Sequence, residues 1–390
     1  EQRLYFNKGV ESFKRRAYGT ALSFFERCVS NAYDENLTAR AWFWQGECQF
    51  VAGNFEAARK AYQRFLSQPS ANRQPEYGQA LYGMGYTGME MVNYPLAIRY
   101  FEDYLKEPAT PGNASWRADA YARLGDCRYM QEEYEPAVAA YTSALQLGFE
   151  PADYAWLQIA LCQGARGLYA SKADYLLKMT GQFTQSSYMP RIYGELASTY
   201  MMMGDADKSL LYYRRLRDQY PRSPLALSAW SKMGLIYFNR GENEEALRCF
   251  KHVVETNSSS EEGRQALVGI RNIYMGMNQI DKFFAYVGKL PNMKMNEAEQ
   301  DSLTYLSAEN FFLEEDYVQA FNGFKKYVDT YPEGLFAVEA WRNAAVCAEK
   351  NNDRENAKVA YTKISQLPVP DAEAATRKLA EMYYADKDYK

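Results

Sequence analysis

Trp230-Ser-Lys-Met233-Gly234-Leu-Ile-Tyr237 and, nine residues on, Ala246-Leu-Arg-Cys-Phe250 decide how this chain folds. Trp230, Gly234 and Tyr237 stand four and three positions apart, which puts them on one face of a helix with 3.6 residues per turn. Gly241-Glu242 is a turn signal, and Ala246 and Phe250 set a small and a large side chain on one face of a second helix. Large residues on one helix opposite small ones on the next let two helices pack closely.

The same pair of stretches, A then B, recurs along all 390 residues. The helix-B alanine or a stand-in, followed four residues later by a bulky apolar residue, falls at Ala21, Ala58, Ala97, Ala137, Ala173, Ser209, Ala246, Phe283, Ala320 and Ala357, at intervals of 36 to 40 residues. Sixteen positions earlier stands a large residue (Tyr5, Trp42, Leu81, Tyr121, Leu157, Tyr193, Trp230, Leu267, Trp341). Twelve earlier stands a small one (Gly9, Gly46, Gly85, Gly125, Ala197, Gly234, Ala308, Ala345). Glycine inside a helix costs about 1 kcal/mol against alanine, so its return at one slot implies close backbone approach. Prolines fall between the units or, at Pro95 and Pro136, at the start of a B helix, where the missing N–H costs little. A period of this length marks a helical solenoid, in which each unit packs on its neighbours.

Units are expected near 1–37, 38–75, 76–115, 116–151, 152–188, 189–224, 225–261, 262–298, 299–335 and 336–371, with a partial one over 372–390. Unit five departs from the pattern, with Leu161 in the small slot and an extra residue near Gly167. Unit eight departs further, with Arg271 in the small slot and Phe283 in place of alanine, so an irregularity and a change of solenoid direction are expected within 262–300. The series calls for its next alanine near 394, beyond Lys390, and Glu1 opens inside the first helix; the chain is therefore expected to be a fragment or a trimmed mature form.

The formal net charge is −4, with acids and bases interspersed. That leaves no footprint for nucleic acid and no basic block for an anionic membrane, and no apolar run approaches the length of a membrane span. Six cysteines (28, 48, 127, 162, 249, 347) show neither CxxC nor metal-ligand spacing. Cys48, Cys127 and Cys347 share one slot, ten residues before the helix-B alanine, and read as small packing residues.

With these residues in place, Trp230-x2-Met233-Gly234-x2-Tyr237 and Ala246-x3-Phe250 resemble the tetratricopeptide repeat, W-x2-L-G-x2-Y…A-x3-F…P. The resemblance runs the length of the chain. It implies an all-α, right-handed superhelical α-solenoid of about ten units plus a partial eleventh, a non-enzymatic scaffold for protein or peptide partners, and no cofactor. Two junctions, Asp218-Gln-Tyr220-Pro221 to Trp230 and Asp329-Thr-Tyr331-Pro332 to Trp341, share their Tyr-Pro and Ala-Trp positions. They resemble repeats of bacterial envelope proteins such as the Tol-Pal coordinating protein and the lipoprotein of the outer-membrane assembly machine. The run with Glu299-Gln-Asp301-Ser-Leu-Thr-Tyr305 is similar to large periplasmic repeat proteins of Bacteroidetes. These likenesses imply a periplasmic or outer-membrane-associated protein, with the cytoplasm as the alternative.

Motifs that could hold chemistry have bland readings. Gly83-x-Gly85-x-x-Gly88 matches the dinucleotide fingerprint as a bare string, but no strand precedes it, and Gly85 is the small slot of unit three. Cys249-x-x-His252 offers two ligands where a zinc site needs four, and His252 is the only histidine. The acidic clusters at Glu132-Glu133 and Glu314-Glu315-Asp316 fall at helix ends and turns. No catalytic and no metal-binding residue is assigned.

In the family that the chain resembles, helix A makes most of the inner surface. Carrying over its exposed slots gives a partner-binding groove of Phe43, Phe50, Tyr82, Tyr86, Met89, Tyr129, Met130, Met201, Met202, Phe238, Tyr305 and Phe312, joined by Leu235 and Tyr384. Aromatic and methionine enrichment is an interface signal, although packing between successive units could bury part of this stripe. The carboxylate clamp of chaperone-tail-binding relatives is absent at Phe43/Glu47, Tyr82/Tyr86 and Ala122/Asp126. Glycan or peptidoglycan binding, with tyrosines stacked on sugar rings, is the alternative function. Oligomeric state is left open.

Overall fold

Every A helix that leads into a B helix ends the same way: one residue takes positive φ and the chain turns. In the computed structural model, which describes residues 1–291 and 293–386, these residues are Arg16, Gly53, Val92, Glu132, Gly167, Gly204, Gly241, Asn278, Glu315 and Asn352, with φ of 54–79°. At the second turn Asn54 N–H donates to Gln49 O and Gly53 N–H to Phe50 O, both at 2.9 Å. That doubled bond satisfies the carbonyls a helix end leaves orphaned. The turn expected at Gly241-Glu242 lies where the sequence places it, and Gly53, Gly204 and Asn352 stand at the same point of their own units. Val92 takes the left-handed conformation despite its β-branch, which is strained for such a residue.

All described secondary structure is helical, and contacts divide the chain into two compact units, Glu1–Tyr212 and Tyr213–Lys390. The first holds α1 (Gln2–Lys14), α2 (Tyr18–Ser30), α3 (Glu35–Val51), α4 (Phe55–Leu66), α5 (Tyr77–Glu90), α6 (Tyr94–Lys106), α7 (Ala114–Met130), α8 (Tyr134–Gln146), α9 (Ala152–Ala165), α10 (Tyr169–Gln182) and α11 (Met189–Met202). The boundary falls within α12 (Ala206–Gln219). The second unit continues with α13 (Pro224–Asn239), α14 (Asn243–Thr256), α15 (Glu261–Gly276), α16 (Ile280–Val287), α17 (Glu297–Leu313), α18 (Tyr317–Thr330), α19 (Ala337–Lys350), α20 (Arg354–Ser365) and α21 (Ala372–Ala385). Residues 387–390 of the expected partial unit, and Asn292 within the irregular stretch expected at 262–300, lie outside the described residues.

In the first unit the helix-B alanine and its aromatic partner are both buried: Ala21 with Phe25, Ala58 with Tyr62, Ala97 with Phe101, Ala137 with Tyr141. Each ring lies across the small slot of its A helix. A Cβ on Gly46 would fall 2.6 Å from the Tyr62 ring, and one on Gly85 2.6 Å from that of Phe101. Full burial of such a side chain is worth roughly 1.5–3 kcal/mol, which offsets the helix cost of the glycine. The intervals of 39 and 40 residues are taken up by 3₁₀ turns, Ala71–Arg73 and Pro111–Asn113.

Unit five corrects the sequence reading. Leu177, taken as the partner of Ala173, is 37% exposed, whereas Leu176 is fully buried. Counted from the left-handed Gly167, Lys172 occupies the alanine slot, as Ala58 does after Gly53. Twelve residues before Lys172 stands Ala160, which is buried, so the small slot is small after all and no residue is extra. Lys172 is tolerated because its ammonium reaches Glu195 Oε2 at 2.5 Å. A lysine in the alanine slot slid the apparent register by one.

In the second unit the same contact returns: a Cβ on Gly234 would lie 2.6 Å from the Phe250 ring. The Tyr-Pro junction after α18 is held by Asp301, which accepts from Tyr327 Oη and from Leu335 N–H (2.9 Å), while Tyr327 Oη accepts from Phe336 N–H at 2.9 Å. α16 has eight residues where the other B helices have 12 to 14.

All six cysteines are buried and free. Burial pushes the thiols of Cys48, Cys127 and Cys347 up to about 12, so they stay protonated at neutral pH and behave as packing groups. Among the described residues no helix is long and apolar enough to cross a membrane.

Candidate partner-binding face

Whether helix A can offer a groove depends on which of its side chains the next helix pair covers. Two of the expected groove residues are core. Phe43 is 1% exposed and sits among the rings of Trp44, Tyr62 and Phe65 at 5.3–6.1 Å. Tyr305 is 4% exposed, stacked on Phe336 at 4.5 Å. Their slot faces along the stack rather than away from it, since α3 packs on both α4 and α5, and α17 on both α18 and α19. Phe50, Met89, Tyr129 and Phe312 are half-buried. Phe50 meets Phe55 edge-on at 5.5 Å, Tyr129 meets Tyr134 at 5.5 Å, and Phe312 meets Tyr317 and Phe324 at about 6 Å.

Tyr82 and Tyr86 belong to something the sequence reading missed. Both hydroxyls donate to Asp119 Oδ2, at 2.7 and 2.5 Å. Asp119 Oδ1 accepts from Arg123 Nε at 3.3 Å, and Arg123 Nη1 donates to Asp126 Oδ2 at 2.5 Å. Asp126 Oδ1 then accepts from Tyr141 Oη (2.7 Å) and Tyr154 Oη (2.6 Å). Asp119, Arg123 and Asp126 stand at i, i+4 and i+7, one face of α7, and through four tyrosines they tie α5, α8 and α9 to it. The spacing was visible in the sequence, but the tyrosines come from three other helices. Burial holds the Asp126 carboxyl above its ordinary range against the pull of Arg123 and the two hydroxyls, and it pushes the Tyr86 hydroxyl up to about 12. Every carboxylate oxygen of the ladder already has a donor, so the ladder sets the register of the stack.

The side chains left open to solvent are mainly methionines. Met130 at the end of α7 and Met201 and Met202 at the end of α11 belong to the first unit, Leu235 and Phe238 of α13 to the second. Their exposure runs from 36% at Phe238 to 64% at Met202. Tyr384 is also exposed. The structure thus keeps three of the four methionines of the expected groove at the surface, with Met89 the exception, and turns most of its aromatics inward.

The other candidate motifs resolve into packing. His252 stacks on Trp230 at 4.3 Å, and Arg217 lies over the same indole at 4.8 Å, while Cys249 is buried. Among the described residues no three His, Cys, Asp or Glu side chains gather to hold a metal.

Three family models described as tetratricopeptide repeat match the chain, one at residues 15–72 and 52–114, the others at 195–223 and 227–260. A TPR repeat-containing protein of Methanocaldococcus jannaschii is 20% identical over 366 residues. The match covers 92% of this chain but only 57% of that relative, so the chain spans a little over half its length. The C-terminal part of a TPR repeat-containing protein from Cytophaga hutchinsonii aligns with a TM-score of 0.55 at 13% identity, covering 67% of this chain and 99% of that one; this is likeness of fold alone. From the ten helix pairs, the rings packed on small slots and these matches, the chain carries tetratricopeptide repeats, and proteins built of this repeat generally mediate protein–protein interaction.

Proposed function

We propose that this chain is a non-enzymatic scaffold that binds segments of partner proteins on the open faces of its A helices. The supporting observation is the exposure of Met130, Met201 and Met202 in one unit and of Leu235 and Phe238 in the other. Large apolar side chains at the surface of a packed stack favour an interface, and methionine adapts its shape to a partner. The glycan alternative has less behind it, because Tyr82 and Tyr86 spend their hydroxyls on Asp119.

Changing all five residues to glutamine should leave the far-UV circular dichroism intact. It should reduce at least tenfold the yield of the principal partner, identified by cross-linking the full-length protein in its native cell. An unchanged yield, with cell-wall sedimentation lost instead, would replace this reading by the glycan one. We place the protein in the bacterial envelope, periplasmic or outer-membrane-associated, on the likeness of its Tyr-Pro junctions to envelope repeats. Recovery of the full-length protein in the cytoplasmic fraction would overturn that placement.

A further inference from the structure

With unit five re-registered, nine of ten small slots hold glycine or alanine, and the tenth holds Arg271. A guanidinium cannot share that slot with an aromatic ring. Unit eight accordingly has Phe283 and Val287 where most other units have alanine and a partner ring, and its B helix, α16, is short. The pair does not close. A cavity of about 400 Å³ opens between α15, α16 and α17, with Leu267, Phe283, Val287, Met295 and Leu303 on its walls and Arg271 among them. A second space of about 450 Å³, lined in part by Met275, Leu306 and Phe311, lies against the same arginine.

Arg271 Nε is buried without a hydrogen-bond partner among the described residues. An unsatisfied buried donor is costly to keep, and one next to an open apolar cleft calls for an acceptor. The local charge favours an anion. Lys294 lines the cleft as well, so two cations stand there against one carboxylate, Glu299, whose Oε2 accepts from the Asn296 N–H at 3.0 Å in the cap of α17. A guanidinium fork matches a carboxylate in shape and charge, and the volume suits one or two side chains.

We infer that this cleft receives a segment of a partner protein in which an acidic residue is flanked by large apolar side chains, its carboxylate accepting from Arg271. The inference rests on the scaffold reading above and names the chemistry of one partner segment.

The test is a random peptide library displayed on phage and selected on the full chain, with binding of the enriched peptides measured by fluorescence polarisation. Enriched sequences should pair Asp or Glu with Leu, Ile, Phe or Met. Arg271→Gln should weaken them about tenfold or more, without lowering the unfolding midpoint. Arg271→Ala, which restores a small slot without the helix cost of glycine, should do the same. Changing the peptide's acidic residue to its amide should cost about tenfold on the wild type and nothing on Arg271→Gln. This cycle reads the contact even if one variant folds poorly.

Peptides indifferent to both changes overturn the inference. If those peptides instead lose binding on the five-residue glutamine variant, the scaffold reading stands without it. Failure to enrich any peptide overturns both. Competition by decanoate that depends on Arg271 would reassign the cleft to a fatty acid, and Arg271-dependent self-association would reassign it to a second copy of the chain; either result ends the partner-segment inference.

Discussion

Gly88→Val should lower the unfolding free energy of the first unit by roughly 3 kcal/mol, at the upper end of what overpacking costs. A Cβ on Gly88 would lie 2.7 Å from the backbone nitrogen of Ala97 and 2.9 Å from its Cα. A side chain can rotate out of the way, but a helix backbone cannot, so α5 and α6 must separate. The three glycines of Gly83-x-Gly85-x-x-Gly88 are each set against a neighbour: Gly83 against the Tyr62 ring at 3.0 Å, Gly85 against Phe101 at 2.6 Å, Gly88 against Ala97. What reads as a phosphate-binding string is one helix pressed on two others. Gly19, with nothing within 4 Å of its would-be Cβ, is the control: Gly19→Ala should be neutral or slightly stabilising, since alanine is the better helix former. Urea unfolding followed by tryptophan fluorescence gives the magnitude, and hydrogen exchange should assign the loss to α5 and α6. A Gly88→Val midpoint equal to that of the wild type would mean the helices do not approach as described.

Asp126→Ala should cost about 3 kcal/mol, because it strips Arg123 of its nearer carboxylate and leaves the hydroxyls of Tyr141 and Tyr154 without their acceptor. Asp126→Asn should cost less, since an amide oxygen can still accept from both tyrosines. The pH dependence separates the two effects. Burial raises the Asp126 carboxyl above its ordinary value of 3.8, outweighing Arg123 and the hydroxyls. A raised carboxyl binds its proton more tightly in the folded state, so its contribution to stability is full below 3.8 and is lost as pH rises through the folded value. The Asn variant has no such proton. Its deficit against the wild type should therefore shrink as pH rises above 3.8, when both are unfolded by urea across a pH series. A deficit that grows with pH would show that Arg123, not burial, governs this carboxyl.

The period of the chain could be read because each unit solves the same packing problem with local residues. A small slot, an alanine and a ring recur at fixed offsets, and the turns carry glycine or asparagine at six of the ten places where φ is positive. Unit five shows the limit of that reading. Ala173 follows Lys172 directly, and a pattern of small residues prefers the alanine, whereas the left-handed Gly167 counts to the lysine. Only a visible partner, Glu195 on α11, makes a lysine acceptable there.

The candidate face was legible in part. Met130, Met201, Met202, Leu235 and Phe238 are exposed on A helices as the offsets imply. Phe43 and Tyr305 are not, because their slot meets the next A helix, and the depth of that contact depends on how tightly successive pairs stack. The ladder of Asp119, Arg123 and Asp126 escaped notice since its tyrosines come from α5, α8 and α9.

Sequence by itself thus determined the helix pairs, their turns and the ring-on-glycine contact within each pair, all of which depend on residues less than one repeat apart. The tertiary structure alone decided which helix-A side chains are covered by the following pair, which hydroxyls the carboxylates take up, and where Arg271 holds a pair open. Those outcomes depend on distances between units, and a one-dimensional period does not contain them.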